Sequence, residues 1–383
     1  MPDGLRIGLP RMHKEAGEKR DFLPPFVGTL QRRGAQVVLE HGYGFRMGLI
    51  EAEYQRVGPQ VRFDSRRGAY EQDYVLVLRC PTEEELHLMR PGACLISMLH
   101  YATRPERVAL LRELQLEAIS IDALKDDSGR RLVENLHAVA WNGIEVAIRV
   151  LRKTYPNGGF NSPRRPPLRV TLLGAGAVGA HVLQSAVRYG NDALRKSLAA
   201  DGVPGVQVTV VDYDLTGHSS FMRELLGRTD ILVDATQRSD PSSIIIPNEW
   251  VGDLPAHAVI LDLAVDPEDR SATPPQVKGI EGIPHGTLDQ YVFEPDDPAF
   301  DALPDLNDRR HRRHVVSCYS WPGVHPKESM QVYGRQLLPI LARLIQKGGL
   351  QNVSPTGRFF ERAIAVAQLS RWGAGPAAPQ AGL

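Results

Sequence analysis

Gly174, Gly176 and Gly179 stand in G-x-G-x-x-G spacing within LRVTLLGAGAVG, after an apolar strand-like run and before a helical one. In that setting Gly174 allows the tight turn, Gly176 lets the backbone approach a pyrophosphate, and Gly179 lets helix and strand pack closely. The N–H groups at the helix start, from Gly176 through Ala177 and Val178, turn a positive dipole end toward phosphate. The next apolar run, VTVV, ends in Asp212, whose carboxylate suits both ribose hydroxyls of an adenosine. Asp212 lies 33 positions beyond Gly179, more than the usual ~20, and Asn191 to Gly205 reads as an insertion that leaves the site unchanged. Tyr213 and Asp214 follow, with no Arg or Lys before Arg223, so a 2′-phosphate meets negative charge. The pattern predicts NAD over NADP.

His100 follows the apolar run LISML and precedes a helical segment from Arg104. An imidazole with a pKa near ~6.5 suits general acid/base work at neutral pH. For most of the 12 histidines, satisfaction in a turn is the plainer reading. His311 and His314 have no cysteine or second pair to complete a metal site, so no metal is expected. The basic run around them, DRRHRRH, sits beside Asp305 and Asp308 and reads as a solvated or inter-subunit face. No G-x-S-x-G elbow, G-K-[ST] loop or H-E-x-x-H helix occurs.

The elements that must hold these groups follow from periodicity. Arg6–Leu9, Gln36–Leu39, Tyr74–Leu78, Ala93–Met98 and Glu117–Ile121 read as strands, separated by helical segments such as 24–33 and 104–113. A long helical pattern through Leu136, Ile144 and Leu151 leads into the breaker-rich segment Tyr155–Pro167, which reads as a linker. A second alternation follows: strands at 169–173, 207–211, 231–234, 258–263 and 315–319, with helices at 178–189 and 219–226. Residues 267–313 read as long loops, and helices are expected at 327–347 and 357–372. The alternation predicts an α/β protein of two Rossmann-like, doubly wound parallel-sheet domains with a cleft between them. Residues 1–135, completed by 326–372, form the expected substrate domain, 136–325 the NAD-binding domain, and 373–383 a disordered tail.

Composition excludes several classes. With 45 Lys plus Arg against 45 Asp plus Glu, the formal net charge is zero, and nothing favours nucleic acid or an anionic membrane as partner. No apolar leader and no membrane-length apolar stretch is present. Cys80, Cys94 and Cys318 encode neither a disulfide framework nor a C-x-x-C site. A cytoplasmic protein with a small-molecule ligand is expected.

Taken in order, RIGLPRMHKEAGEKRDFLPPFVGTL at the N-terminus, LRCP at 78–81, LISMLHYATRPE at 95–106, LLGAGAVG, and WPGVHP at 321–326 resemble alanine dehydrogenase and its relatives. Those relatives are the homologous domain of nicotinamide nucleotide transhydrogenase, lysine-forming saccharopine dehydrogenase and carboxyethylornithine synthase. The resemblance implies that Arg20 and Arg79 hold the substrate carboxylate, with Arg79 standing where the family has a lysine. Arginine grips a carboxylate bidentately but cannot serve as a base. It further implies His100 as the catalytic acid/base and Asp266 as the aspartate that faces the reacting carbon, although Pro267 and Glu268 replace the glycines expected after it. Ser320 and Trp321 fall at a turn on the cofactor edge and are expected to line the pocket. The implied activity is NAD-dependent oxidative deamination of an L-amino acid to a 2-oxo acid and ammonia. Two alternatives stay open: reductive condensation of a 2-oxo acid with an amino acid, and a non-catalytic NAD-binding sensor or subunit. The family's hexamers allow a homo-oligomer.

Overall fold

The computed structural model describes residues 4–156, 165–203, 205–266, 268–303 and 308–373. It divides into two units, Met1–Asn135 with His325–Leu383, and Leu136–Val324. The first holds six strands, β1 (Arg6–Leu9), β2 (Gln36–Glu40), β3 (Val61–Asp64), β4 (Tyr74–Arg79), β5 (Cys94–Met98) and β6 (Glu117–Ser120). They pair in parallel in the order β3-β2-β1-β4-β5-β6, the doubly wound order. Because both faces are covered, the central strands β4 and β5 are largely apolar, and neighbours along β4 serve different cores. Leu76 and Leu78 pack with Phe26 and Leu30 of helix Pro24–Arg32 and with Leu337 and Leu341 of helix Pro326–Gln346. Val75 and Val77 pack with Val108 and Leu111 of helix Pro105–Glu113 on the other face. The returning C-terminal helices therefore complete the first core.

The second unit holds β7 (Leu168–Leu173), β8 (Val206–Val211), β9 (Ile231–Asp234), β10 (Val259–Asp262), β11 (Val292–Phe293) and β12 (His314–Ser317). Their order is β11-β12-β10-β9-β7-β8, with β11 alone antiparallel. Helix Leu136–Thr154 lays Ala140, Ile144, Ala147 and Leu151 on this sheet. At Gly143 a Cβ would come within 2.6 Å of Leu263, so glycine sets how closely that helix approaches. The long helix thus belongs to the second unit, and the breaker-rich segment after it connects elements within that unit; its residues 157–164 lie outside the described residues. So do residues 374–383 of the expected disordered tail.

Several elements differ from expectation, among them two strands and a helix. β3, VRFD, is an edge strand whose exposed Arg62 and Asp64 break the apolar pattern. The insertion read at Asn191–Gly205 contains a helix, Asp192–Ala200, whose first turn is capped by the Asn191 side chain accepting from the Leu194 N–H at 2.7 Å. The supposed loop region 267–313 supplies β11, two residues long and too short to show a period.

Candidate active site

In the order β3-β2-β1-β4-β5-β6 the chain turns away in opposite directions from β1 and β4, and the carboxyl ends of these neighbours frame the crevice where such sheets bind ligands. Arg79 is the last residue of β4. The segment after β1 brings Glu15, Glu18 and Arg20 to the same place. Arg79 Nη1 donates to Glu15 Oε1 at 3.0 Å and Glu18 Oε2 at 3.2 Å. Arg20 grips Glu18 from the side, Nε to Oε1 at 2.9 Å and Nη2 to Oε2 at 2.6 Å. Burial alone pushes the Glu18 carboxyl up, but the guanidinium groups of Arg20 and Arg79 outweigh it and hold it at about 2. The two arginines expected at a substrate carboxylate are thus brought together, but they differ in access. Arg20 is buried and committed to Glu18, while the Arg79 side chain keeps 17% of its surface exposed. Arg79 opens onto a recess that Met12, His13, Lys14 and Cys80 also line. His13 Nε2 lies 2.7 Å from Glu40 Oε1, a histidine–carboxylate pair beside the recess.

One strand over, Arg79 is in register with Met98 of β5, two residues before His100. His100 takes a left-handed backbone conformation, φ 53° and ψ 49°, a region uncommon for residues other than glycine, in which asparagine, aspartate and histidine are the most frequent exceptions. What holds it there is Asp122, which accepts the backbone N–H of Leu99 at 2.9 Å and of His100 at 3.1 Å, and the Ser120 hydroxyl at 2.8 Å. The other carboxylate oxygen lies 3.4 Å from His100 Nδ1. Burial opposes ionisation of Asp122, yet these hydrogen bonds win and keep it well below the usual carboxylate range. The carboxylate thus faces Nδ1, while 48% of the His100 side chain is exposed. Asp122 was absent from the sequence expectations. It stands in the short turn Ile121–Ala123 just after β6, 22 positions from His100, and no local spacing links the two.

In the second unit the glycine turn has the shape its spacing predicts. Gly174 has φ 89°, and a Cβ on Gly179 would meet the Gly174 carbonyl at 2.3 Å. A Cβ on Gly176 would meet nothing within 4 Å, so open space lies before the helix Ala177–Ala186, whose start has no side-chain cap. The Gly174 N–H donates to the Val211 carbonyl at 2.9 Å and so sets the end of β8 beside the turn. Asp212, the next residue, is exposed and leaves the short helix Tyr213–Thr216 uncapped. An open cradle at a bare helix N-terminus with a carboxylate beside it fits a dinucleotide.

Asp266 follows β10 and is 36% exposed; Arg238 Nη2 donates to its Oδ2 at 2.7 Å. Just before it, Val265 is left-handed at φ 51°, and its N–H donates to Asp262 Oδ1 at 2.7 Å. Asp262 is buried, held by Lys278 Nζ at 2.7 Å and the Ser317 hydroxyl at 2.9 Å. Burial raises its pKa, and the Lys278 ammonium more than reverses this. Pro267 lies outside the described residues.

Two expectations need correction. Trp321 is a core residue: its indole is 1% exposed and donates to the Asp262 carbonyl at 3.0 Å, and Ser320 beside it is also buried. The basic run is only half a solvated face. Arg313 turns inward to donate to the carbonyls of Gly252, Leu254 and Pro255, and Arg312 is buried over the Phe300 ring. Backbone carbonyls hold Arg313 and the Asp301 carboxylate, 2.7 Å from Arg312 Nη2, holds Arg312, so internal partners and not an external polyanion explain those cations. Among the described residues no cluster of three metal-ligating side chains occurs, and no helix is long and apolar enough to cross a membrane.

The comparisons agree with this architecture. The family description "Alanine dehydrogenase/PNT, N-terminal domain" matches residues 8–140. The chain is 23% identical over 369 residues to alanine dehydrogenase of Bacillus subtilis (strain 168), covering 91% of this chain and 88% of that protein. It is 24% identical over 269 residues to alanine dehydrogenase of Geobacillus stearothermophilus, covering 68% of this chain and 72% of that one. A solved L-alanine dehydrogenase superposes with a TM-score of 0.71 at 21% identity, over 95% of this chain and 94% of that chain.

Proposed function

Because the chain belongs to the alanine dehydrogenase/PNT family, we propose that it is an NAD-dependent amino-acid dehydrogenase that interconverts an L-amino acid with its 2-oxo acid and ammonia. The observation that carries this reading is the His100–Asp122 pair beside Arg79 at the carboxyl ends of adjacent strands. It couples an anion-binding cation to a proton carrier within one unit. Of the two arginines, Arg79 is the accessible one for the substrate carboxylate and, as an arginine, cannot exchange protons. His100 is left as the acid/base.

Gly174, Gly176 and Gly179, with the N–H groups of Ala177 and Val178, are the residues to hold the pyrophosphate, and Asp212 those to receive the ribose. When bound, NAD supplies an acceptor for the hydride that leaves Cα. Loss of an amine proton to solvent and of that hydride turns the amino acid into an iminium. Water then adds at the iminium carbon, and His100 Nε2 takes the proton it sheds. The same proton goes to the amine nitrogen of the carbinolamine, the C–N bond breaks to release ammonia, and His100 takes the hydroxyl proton as the carbonyl forms. Asp266 supplies a carboxylate to orient the water and offset the iminium charge.

The test is NADH oxidation by the purified protein with a panel of 2-oxo acids, each supplied with ammonium or with amino acids. Turnover with ammonium is the expected result; turnover only with an amino-acid donor replaces this reading by reductive condensation. The ribose site makes a separate prediction. NAD is expected to be favoured over NADP by at least ~10-fold in kcat/KM, because Asp212 repels a 2′-phosphate and lacks a neighbouring cation. Replacing Asp212 by Ala should narrow that ratio, and equal use of both cofactors by the unmodified protein would rule the assignment out.

A further inference from the structure

Arg238 lies on the loop after β9, and its side chain is 7% exposed. Backbone carbonyls surround its guanidinium: Nη1 donates to Ser243 and Pro241, and Nη2 to Val277 at 2.5 Å. The carboxylate it meets is Asp266, at 2.7 Å. Nε is buried without a partner, so the group sits where the carbonyls and Asp266 place it and does not satisfy its own full donor set. On the far side of Asp266 the backbone is equally constrained. Val265, a β-branched residue, is held left-handed by its hydrogen bond to the buried Asp262, itself braced by Lys278 and Ser317. Such a conformation persists only where its surroundings over-determine it.

These restraints converge on one side chain. Asp266 keeps an oxygen and about a third of its surface open, while its position is set from β9 by Arg238 and from β10 by the Val265 turn. Other charges face the same place. Asp234 at the end of β9 and Asp262 at the end of β10 are anionic neighbours, and Asp234 is pushed up to about 6 by burial and by those carboxylates. Lys278 is committed to Asp262, which leaves Arg238 as the cation bonded to Asp266 among the described residues.

We propose that Arg238 is a positioning residue for Asp266: it fixes the carboxylate in one orientation and offsets the neighbouring anions, so that Asp266 meets the substrate as a preorganised anion. This rests on the reading of Asp266 as a group that faces the reacting carbon. Preorganisation of this kind acts on the chemical step and leaves ground-state cofactor binding alone.

The experiment is a double-mutant cycle on the full chain with R238M, D266N and the pair, in which kcat is read by NADH oxidation and NADH affinity by its fluorescence. R238M is expected to lower kcat by at least ~10-fold with NADH affinity within about twofold of the unmodified protein. In the D266N background the same change is expected to cost less than about twofold, since nothing remains to position. R238K, run in parallel, keeps the cation and is expected to recover part of kcat, and it also serves the cycle if R238M does not fold. Equal losses from R238M in both backgrounds would show a purely structural role and overturn the proposal. Unchanged turnover in D266N alone would instead overturn the reading of Asp266 on which it rests.

Discussion

Replacement of His100 by Asn lowers kcat by about 10²- to 10⁴-fold while NADH affinity stays within a few-fold. The argument begins with the backbone. At φ 53° most side chains cost about 1–2 kcal/mol, but asparagine tolerates this region well, so the variant keeps the turn and loses only the imidazole. Asp122 still accepts the N–H groups of Leu99 and of residue 100, which keeps the loop in place. The proton carrier is gone, and Arg79 cannot replace it. Replacement of Asp122 by Asn keeps an acceptor for those N–H groups but removes the charge that faces Nδ1. Its kcat falls as well, by about 10-fold or more, with a changed pH profile. Steady-state kinetics with NADH titration separate the effects: unchanged turnover in H100N removes the dyad from the mechanism, and a matching loss of NADH affinity would mean a damaged fold.

What the sequence showed of this site depends on how far each group's partner lies along the chain. The glycine turn was fully legible because a phosphate cradle is local: three glycines, a strand before and a helix after, all within LRVTLLGAGAVG. Strands such as Arg6–Leu9 and Ile231–Asp234 were legible for the same reason, since burial on both faces leaves a short apolar run between turn residues. β3 and β11 were not, because an edge strand needs apolar residues on few positions and two residues have no period. The polar pairs were the least legible. Asp122 is 22 residues from His100, Arg238 is 28 from Asp266, and Glu15 is 64 from Arg79. Each pair is made by strand order, which brings the ends of β5 and β6, of β9 and β10, and of β1 and β4 together. The inward turn of Arg312 and Arg313 was missed likewise, because a run of charge has the same appearance whether water or carbonyl oxygens surround it.

Replacement of Asp21 by Asn stabilises the protein, and the gain grows with pH. Asp21 is 5% exposed and accepts the Gly44 N–H at 2.8 Å. Burial pushes its carboxyl from 3.8 up to about 7; the Gly44 bond and Arg11 pull the other way, and Glu18 and Glu40 add to the rise. The fold therefore holds a proton that the unfolded chain gives up above pH ~4, so the folded state binds more protons across that window and stability falls as pH rises. The shift corresponds to about 4 kcal/mol over the whole window. Glu18 has the opposite sign, since its depressed value means that its contribution is lost only as pH falls toward 2. It is constant from pH 5 to 8. Asp234, raised to about 6, also loses stability with rising pH, but it titrates equally in both proteins and cancels in their difference. Asparagine keeps the acceptor for Gly44 and the donor capacity of the protonated acid, with no proton to lose. Urea unfolding of both proteins should give a difference that widens by roughly 3 kcal/mol between pH 5 and pH 8. A difference independent of pH would mean that Asp21 is ionised in the fold, and that the Gly44 N–H and Arg11 outweigh its burial.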